Sequence, residues 1–129
     1  MLWDLTNQFL LIPDLGADLV RIYGMDESAR LFEMTALNVP PGTGPRHATW
    51  WSPTPSEATN GGPLFLLVDG ELSGLVLMYR ATYTEKTKAL MFTLVSQTNA
   101  LGRDISPKQS LPAEITVSVR IGISCKIRD

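Results

Sequence analysis

Positions 9–23 read Phe9-Leu10-Leu11-Ile12-Pro13-Asp14-Leu15-Gly16-Ala17-Asp18-Leu19-Val20-Arg21-Ile22-Tyr23, and positions 65–79 read Phe65-Leu66-Leu67-Val68-Asp69-Gly70-Glu71-Leu72-Ser73-Gly74-Leu75-Val76-Leu77-Met78-Tyr79. The offset is 56 (65 minus 9), and it also maps Leu19 onto Leu75, Val20 onto Val76 and Tyr23 onto Tyr79. Each copy is an apolar run, a turn, and a second apolar run ending in Tyr, which reads as two adjacent strands of one sheet. An all-β unit recurring at such a spacing is the signature of a propeller blade. Function is then to be sought where the copies differ.

Working outward, a polar tip at residues 25–30 follows the first pair of strands, and residues 31–39 read as a third, outer strand. The segment Pro40-Pro41-Gly42-Thr43-Gly44-Pro45 connects one unit to the next. Residues 46–51 are the inner strand of the second unit, and residues 52–63, with three prolines and two glycines, are an exposed loop. Residues 64–68, 75–83 and 90–97 supply the remaining strands, and residues 113–119 open a third unit. Continuous helical periodicity is absent, and residues 84–89, the one stretch a helix could claim, are too few to stand alone. The last eleven residues, 119–129, lack the expected turn. They read as an atypical tail of the kind a shifted reading frame or retained intron produces, with an edge strand as the alternative.

The expected fold class is therefore all-β: about two four-stranded antiparallel blades of a β-propeller plus the first strand of a third. It forms a single partial domain, with residues 1–41 an incomplete blade, 42–98 a complete one and 112–129 the start of another. Propellers use about four to eight blades of about fifty residues each. At 129 residues the chain is a segment of a ring, and its uncovered blade faces predict self-association.

Net charge is −2 with basic residues scattered, so the basic stripe required for nucleic-acid binding is missing. The apolar runs are strand-sized, which predicts no membrane span. The start carries Asp4 and no basic n-region, so it does not read as a signal peptide. The cytoplasm is the default expectation, with secretion left open. One histidine and one cysteine predict no metal site, no Walker or dinucleotide glycine loop is present, and no cofactor is expected.

The chemistry concentrates after the Pro/Gly connection, in Gly42-Thr43-Gly44-Pro45-Arg46-His47, where an inner strand begins near a propeller axis. Arg46 presents a fork of donors suited to a carboxylate or phosphate. His47 has a side chain suited to proton transfer, but neighbours on a strand point to opposite faces. Both would face one ligand only if the strand were irregular there. Arg46 is taken as the site residue and His47 as substrate-binding or supporting, although spacing alone also fits a solvated arginine and a packing histidine. Glu71 replaces Leu15 at the equivalent position of the first copy, either as a site carboxylate or as a turn residue. Glu114 opens the third inner strand at a place comparable to Arg46 or His47, and is expected to face the axis as a supporting or substrate-binding residue.

The stretch from Gln8 to Tyr23 resembles a segment of the lactonase-type seven-bladed β-propellers, the group of bacterial-type 6-phosphogluconolactonases and fungal 3-carboxy-cis,cis-muconate lactonizing enzymes. Residues 40–47 are similar to their inter-blade segment, residues 67–72 to their Asn-Glu-Leu strand end, and Ala113-Glu114-Ile115 to the opening of a later blade. Gly70 stands where the family has an Asn. The resemblance covers residues 6–118 and implies a lactone-processing enzyme, hydrolase or cycloisomerase, acting on an anionic lactone. It implies Arg46 and Glu71 as the catalytic pair, the arginine holding an anion and the glutamate acting as general acid/base. It also implies a truncated member, in which a site contributed by several blades is incomplete in one copy of the chain and inactivity alone is the expectation. The alternatives are a binding or scaffold propeller without catalysis and a non-functional remnant.

Overall fold

The computed structural model describes residues 1–84, 89–100, 111–118 and 122–128. Among the described residues eleven strands run in order: β1 Leu2–Trp3, β2 Phe9–Asp14, β3 Leu19–Met25, β4 Leu31–Glu33, β5 Leu37–Asn38, β6 Pro45–Trp51, β7 Leu64–Gly70, β8 Leu75–Thr84, β9 Ala89–Asn99, β10 Leu111–Ser118 and β11 Gly122–Arg128. They form three antiparallel sheets. The first has the order β1-β2-β3-β4 with β5 also on β3, the second β6-β7-β8-β9, and the third β10-β11. The chain is a partial β-propeller of all-β class.

The repeat is exact at the level of pairing. Leu10 pairs with Tyr23 and Leu11 with Ile22; 56 residues on, Leu66 pairs with Tyr79 and Leu67 with Met78. Pro13 opposite Val20 becomes Asp69 opposite Val76. Shared register follows from shared alternation, because a slip of one residue would turn every core side chain outward.

Alternation then sends the two faces of the second sheet to different neighbours. Leu64, Leu66 and Val68 of β7 pack with Leu77, Tyr79 and Ala81 of β8 against Phe9, Leu11, Val20 and Ile22 of the first sheet. Leu67 and Val76 turn the other way, onto Ile115 of β10, with Trp51, Met78 and Val117 around them. The middle blade is thus covered on both faces, and most of its stability comes from this burial.

Three expectations need correction. The turn expected once the apolar run of residues 9–12 reaches Pro13-Asp14-Leu15-Gly16 starts later, since β2 runs through Asp14. Gln8 O accepts from Met25 N, so the odd positions of β2 point their N–H groups toward β1, which covers only Leu10 and Leu11. The N–H that Pro13 lacks is therefore not needed by the ladder. The loop at residues 52–63 holds a 3-10 turn, Pro55–Glu57, and pins itself to the core through buried Ala58. The tail is a strand: β11 pairs with β10 from Leu111 opposite Arg128 to Ser118 opposite Gly122. Alternating Ile123, Cys125 and Ile127 gives it a strand period. Residues 85–88, within the stretch considered for a helix, lie outside the described residues.

Candidate active site

The connection between the first two sheets is built by one carboxylate. Asp18 adopts a left-handed backbone, φ 51°, and its Oδ2 and Oδ1 accept from Gly42 N and Gly44 N, both at 2.7 Å. These two bonds hold the Asp18 carboxyl below the usual carboxylate range. The turn between the first two long strands and the Pro/Gly connection are therefore a single device, with Asp18 of the one gripping Gly42 and Gly44 of the other. Thr43, buried beneath, donates through N and Oγ1 to Pro40 O at 3.2 and 2.5 Å.

This loop in turn fixes the β7–β8 turn. Gly44 O accepts from Glu71 N at 2.9 Å, and Thr43 O accepts from Leu72 N and Ser73 N at 3.2 and 3.3 Å. The approach is too close for side chains. A Cβ on Gly70 would lie 2.5 Å from Ser73 Oγ and 2.9 Å from Thr43 O, so glycine here permits the packing that an asparagine would have to displace. Gly44 has φ +58° as well as contact with Leu72, a conformation that favours glycine.

The start of β6 carries the irregularity that a shared ligand face requires. Pro45 pairs with Gly70 and His47 with Asp69, leaving Arg46 as the extra residue of a β-bulge. Bulges re-aim side chains in this way. Arg46 Nη1 donates to Glu71 Oε2 at 2.5 Å. The Glu71 side chain is 10% exposed and that of Arg46 31%, so the carboxylate is sunk while the guanidinium reaches solvent. Nη1 is the Arg46 atom bonded among the described residues, and the remaining donors of the fork are open to an anion.

His47 is exposed and directly opposite Asp69, so the two share a face. Glu114 lies on β10 opposite Lys126 and next to Ile115, which packs toward β7; alternation turns Glu114 to the other face of that strand. The ion pair joins Arg46 and Glu71. Among the described residues, no group of three or more His, Cys, Asp or Glu side chains gathers to hold a metal ion, and no helix is long and apolar enough to cross a membrane.

Two residues escaped the sequence reading. Asp69 is fully buried and neither carboxylate oxygen has a hydrogen-bond partner among the described residues. Burial, reinforced by the charge of Glu71 and opposed by that of Arg46, raises its pKa from 3.8 to about 6. Its signal was available, because it replaces Pro13 as Glu71 replaces Leu15. Asp4, at the opposite end of the strands, is also buried. It accepts from Gln8 N and Phe9 N at 2.8 Å and from Tyr83 Oη at 2.8 Å, tying β8 to the loop before β2. Nothing in the sequence around Asp4 distinguished it from a surface acid.

The family model described as lactonase, 7-bladed beta-propeller, matches residues 1–120. A probable 6-phosphogluconolactonase from Arthroderma benhamiae is 38% identical over 86 residues, covering 67% of this chain and 20% of its own length. A crystal structure of a protein from Lactobacillus plantarum superposes with a TM-score of 0.64 at 27% identity, covering 85% of this chain and 28% of that one. The chain thus spans about a fifth of the curated relative it matches. With the paired blades, the shared register and the family match in hand, the chain belongs to the lactonase family of seven-bladed β-propellers.

Proposed function

We propose that Arg46 and Glu71 form part of a site that hydrolyses an anionic sugar-acid lactone, of the kind 6-phosphogluconolactone represents. The observation that carries the reading is the 2.5 Å contact between Arg46 Nη1 and the sunken Glu71 Oε2. It orients a partly exposed guanidinium whose other donors have no partner among the described residues. Hydrolysis is chosen over ring closure because the relative above is a probable 6-phosphogluconolactonase.

The roles follow from the atoms. Bound to Arg46 through Oε2, Glu71 keeps Oε1 to take a proton from water as the water oxygen attacks the lactone carbonyl carbon. The charge developing on the carbonyl oxygen meets the free N–H groups of Arg46, a preorganised donor worth more there than in water. Collapse breaks the bond to the ring oxygen, which leaves as a hydroxyl with the proton returned by Glu71. The products are the open-chain acid and a regenerated pair.

Hydrolysis of 6-phosphogluconolactone by the protein carrying this chain, followed by acid release at constant pH, tests the reading. Glu71→Gln should lower kcat and Arg46→Ala should raise KM and lower kcat. Unchanged kinetics in both variants would remove the pair from the reaction.

A further inference from the structure

Among the described residues Asp4 is buried but hydrogen-bonded and Glu71 is buried but paired with Arg46, whereas buried Asp69 has neither a partner nor a task in the mechanism above. The fold does not require it: the register-equivalent position of the first blade is Pro13, opposite Val20 as Asp69 is opposite Val76. A carboxyl that is 0% exposed with both oxygens unpaired among the described residues costs stability that an apolar residue would not. Groups kept at such a cost cluster at functional sites.

Its surroundings decide what it can do. From β6 it faces His47 across the ladder, with Arg46 in the adjoining bulge. From β8 it faces uncharged Val76. Glu71 follows in the next turn, and β10 brings apolar Ile115 to the same face, with Glu114 turned away. The acids and bases at 101–110, namely Arg103, Asp104 and Lys108, lie outside the described residues.

We propose that Asp69 is a positioning residue that carries a proton for the Arg46–Glu71 site, so that an anion binds Arg46 well when Asp69 is neutral and poorly when it is ionised. The inference rests on the site reading above. With Asp69 protonated, Arg46 and Glu71 cancel and an arriving anion meets the open guanidinium donors. With Asp69 ionised, the same place holds two buried negative charges against one positive, and the anion is repelled. The register puts the three close together, with Asp69 opposite His47 beside the Arg46 bulge and Glu71 two residues on, so the charge of Glu71 raises the Asp69 pKa and that of Arg46 lowers it.

The test uses D-gluconate, whose carboxylate stays ionised between pH 4.5 and pH 8, roughly the range bracketing the carboxyl and imidazole values. Its affinity for the whole protein, measured by calorimetry, should fall at least about threefold as pH rises through 6, the least that one extra charge at close range gives through water-like screening. Asp69→Asn, which fixes the neutral shape, should flatten the curve at the high-affinity level. His47→Gln should leave the fall in place. Should His47→Gln flatten the curve and Asp69→Asn not, the histidine is the proton carrier and the proposal is wrong. A pH-independent affinity that Arg46→Ala abolishes would keep the site reading and discard the role of Asp69. Absence of gluconate binding at every pH would overturn both. Should Asp69→Asn not fold, carbon-13 NMR of the wild-type aspartate carboxyls decides: reciprocity requires saturating gluconate to move the Asp69 midpoint upward, and an unmoved midpoint refutes the linkage.

Discussion

Replacing Gly44 by alanine places one methyl group where two requirements of the inter-blade loop meet. The backbone there has φ +58°, and an L-residue held in the left-handed region costs about 1–2 kcal/mol. The new Cβ would also lie 2.4 Å from Leu72 Cγ, 2.7 Å from Cδ1 and 2.9 Å from Cβ. Leu72 is 51% exposed, so rotation can carry Cγ and Cδ1 away. Its Cβ cannot follow, because Leu72 N is bonded to Thr43 O at 3.2 Å. Residual crowding of this kind costs about 1–3 kcal/mol. The expected loss is therefore about 2–4 kcal/mol in urea unfolding followed by circular dichroism. Combining Gly44→Ala with Leu72→Ala should recover about 1 kcal/mol by removing the mobile atoms, while the backbone penalty persists. A Gly44→Ala chain within about 0.5 kcal/mol of wild type would refute the claim that this loop clamps the β7–β8 turn.

Four further outcomes are expected. Arg46→Ala strands a sunken carboxylate and should destabilise by about 1–3 kcal/mol, less than a fully buried pair because the guanidinium is partly solvated; adding Glu71→Gln should restore part of it, and no restoration would argue against direct coupling. Leu66→Ala, at a fully buried position between the first two sheets, should cost about 2–5 kcal/mol, whereas exposed Leu15→Ala should stay within about 0.5 kcal/mol. Asp69 has a raised folded pKa, so the native state holds its proton longer than the unfolded chain; stability should fall as pH rises from 3.8 to about 6, by up to roughly 3 kcal/mol, and Asp69→Asn should abolish the fall. Asp18 has a lowered folded pKa, so its contribution has the opposite sign: present above the ordinary carboxylate value, lost as acid titrates it, and absent at all pH in Asp18→Ala. Thermal unfolding across pH 3–8, roughly the span of these titrations, separates the last two.

Particular residues show how far the sequence carried the reading. The two copies beginning at Phe9 and Phe65 state their own pairing, since alternation and turn position leave a single register in which both bury their apolar faces. Arg46 and Glu71 were reached through family resemblance and through the copy difference at Leu15, because a contact spanning 25 positions leaves no local trace. The bulge at Arg46 was named only as a condition, as irregular backbone has no period to betray it. Asp69 was legible by the same comparison that exposed Glu71, yet its meaning depends on complete burial, which Val76 and Ile115 supply from other strands. Asp4 was not legible, for its partners include Tyr83 from the far end of the second blade. In the tail the alternation of Ile123, Cys125 and Ile127 carries the strand, the alternative that stands beside the atypical-tail reading, while the turn signal before it is weak.

The most direct test of the account is a crystal structure of the protein with 6-phosphogluconate bound. The account places an acidic oxygen of the ligand within about 3.2 Å of the free Arg46 nitrogens, with the Arg46–Glu71 contact intact and Asp69 buried behind it. A ligand seated elsewhere, or an Arg46 turned away from both the anion and Glu71, would contradict it.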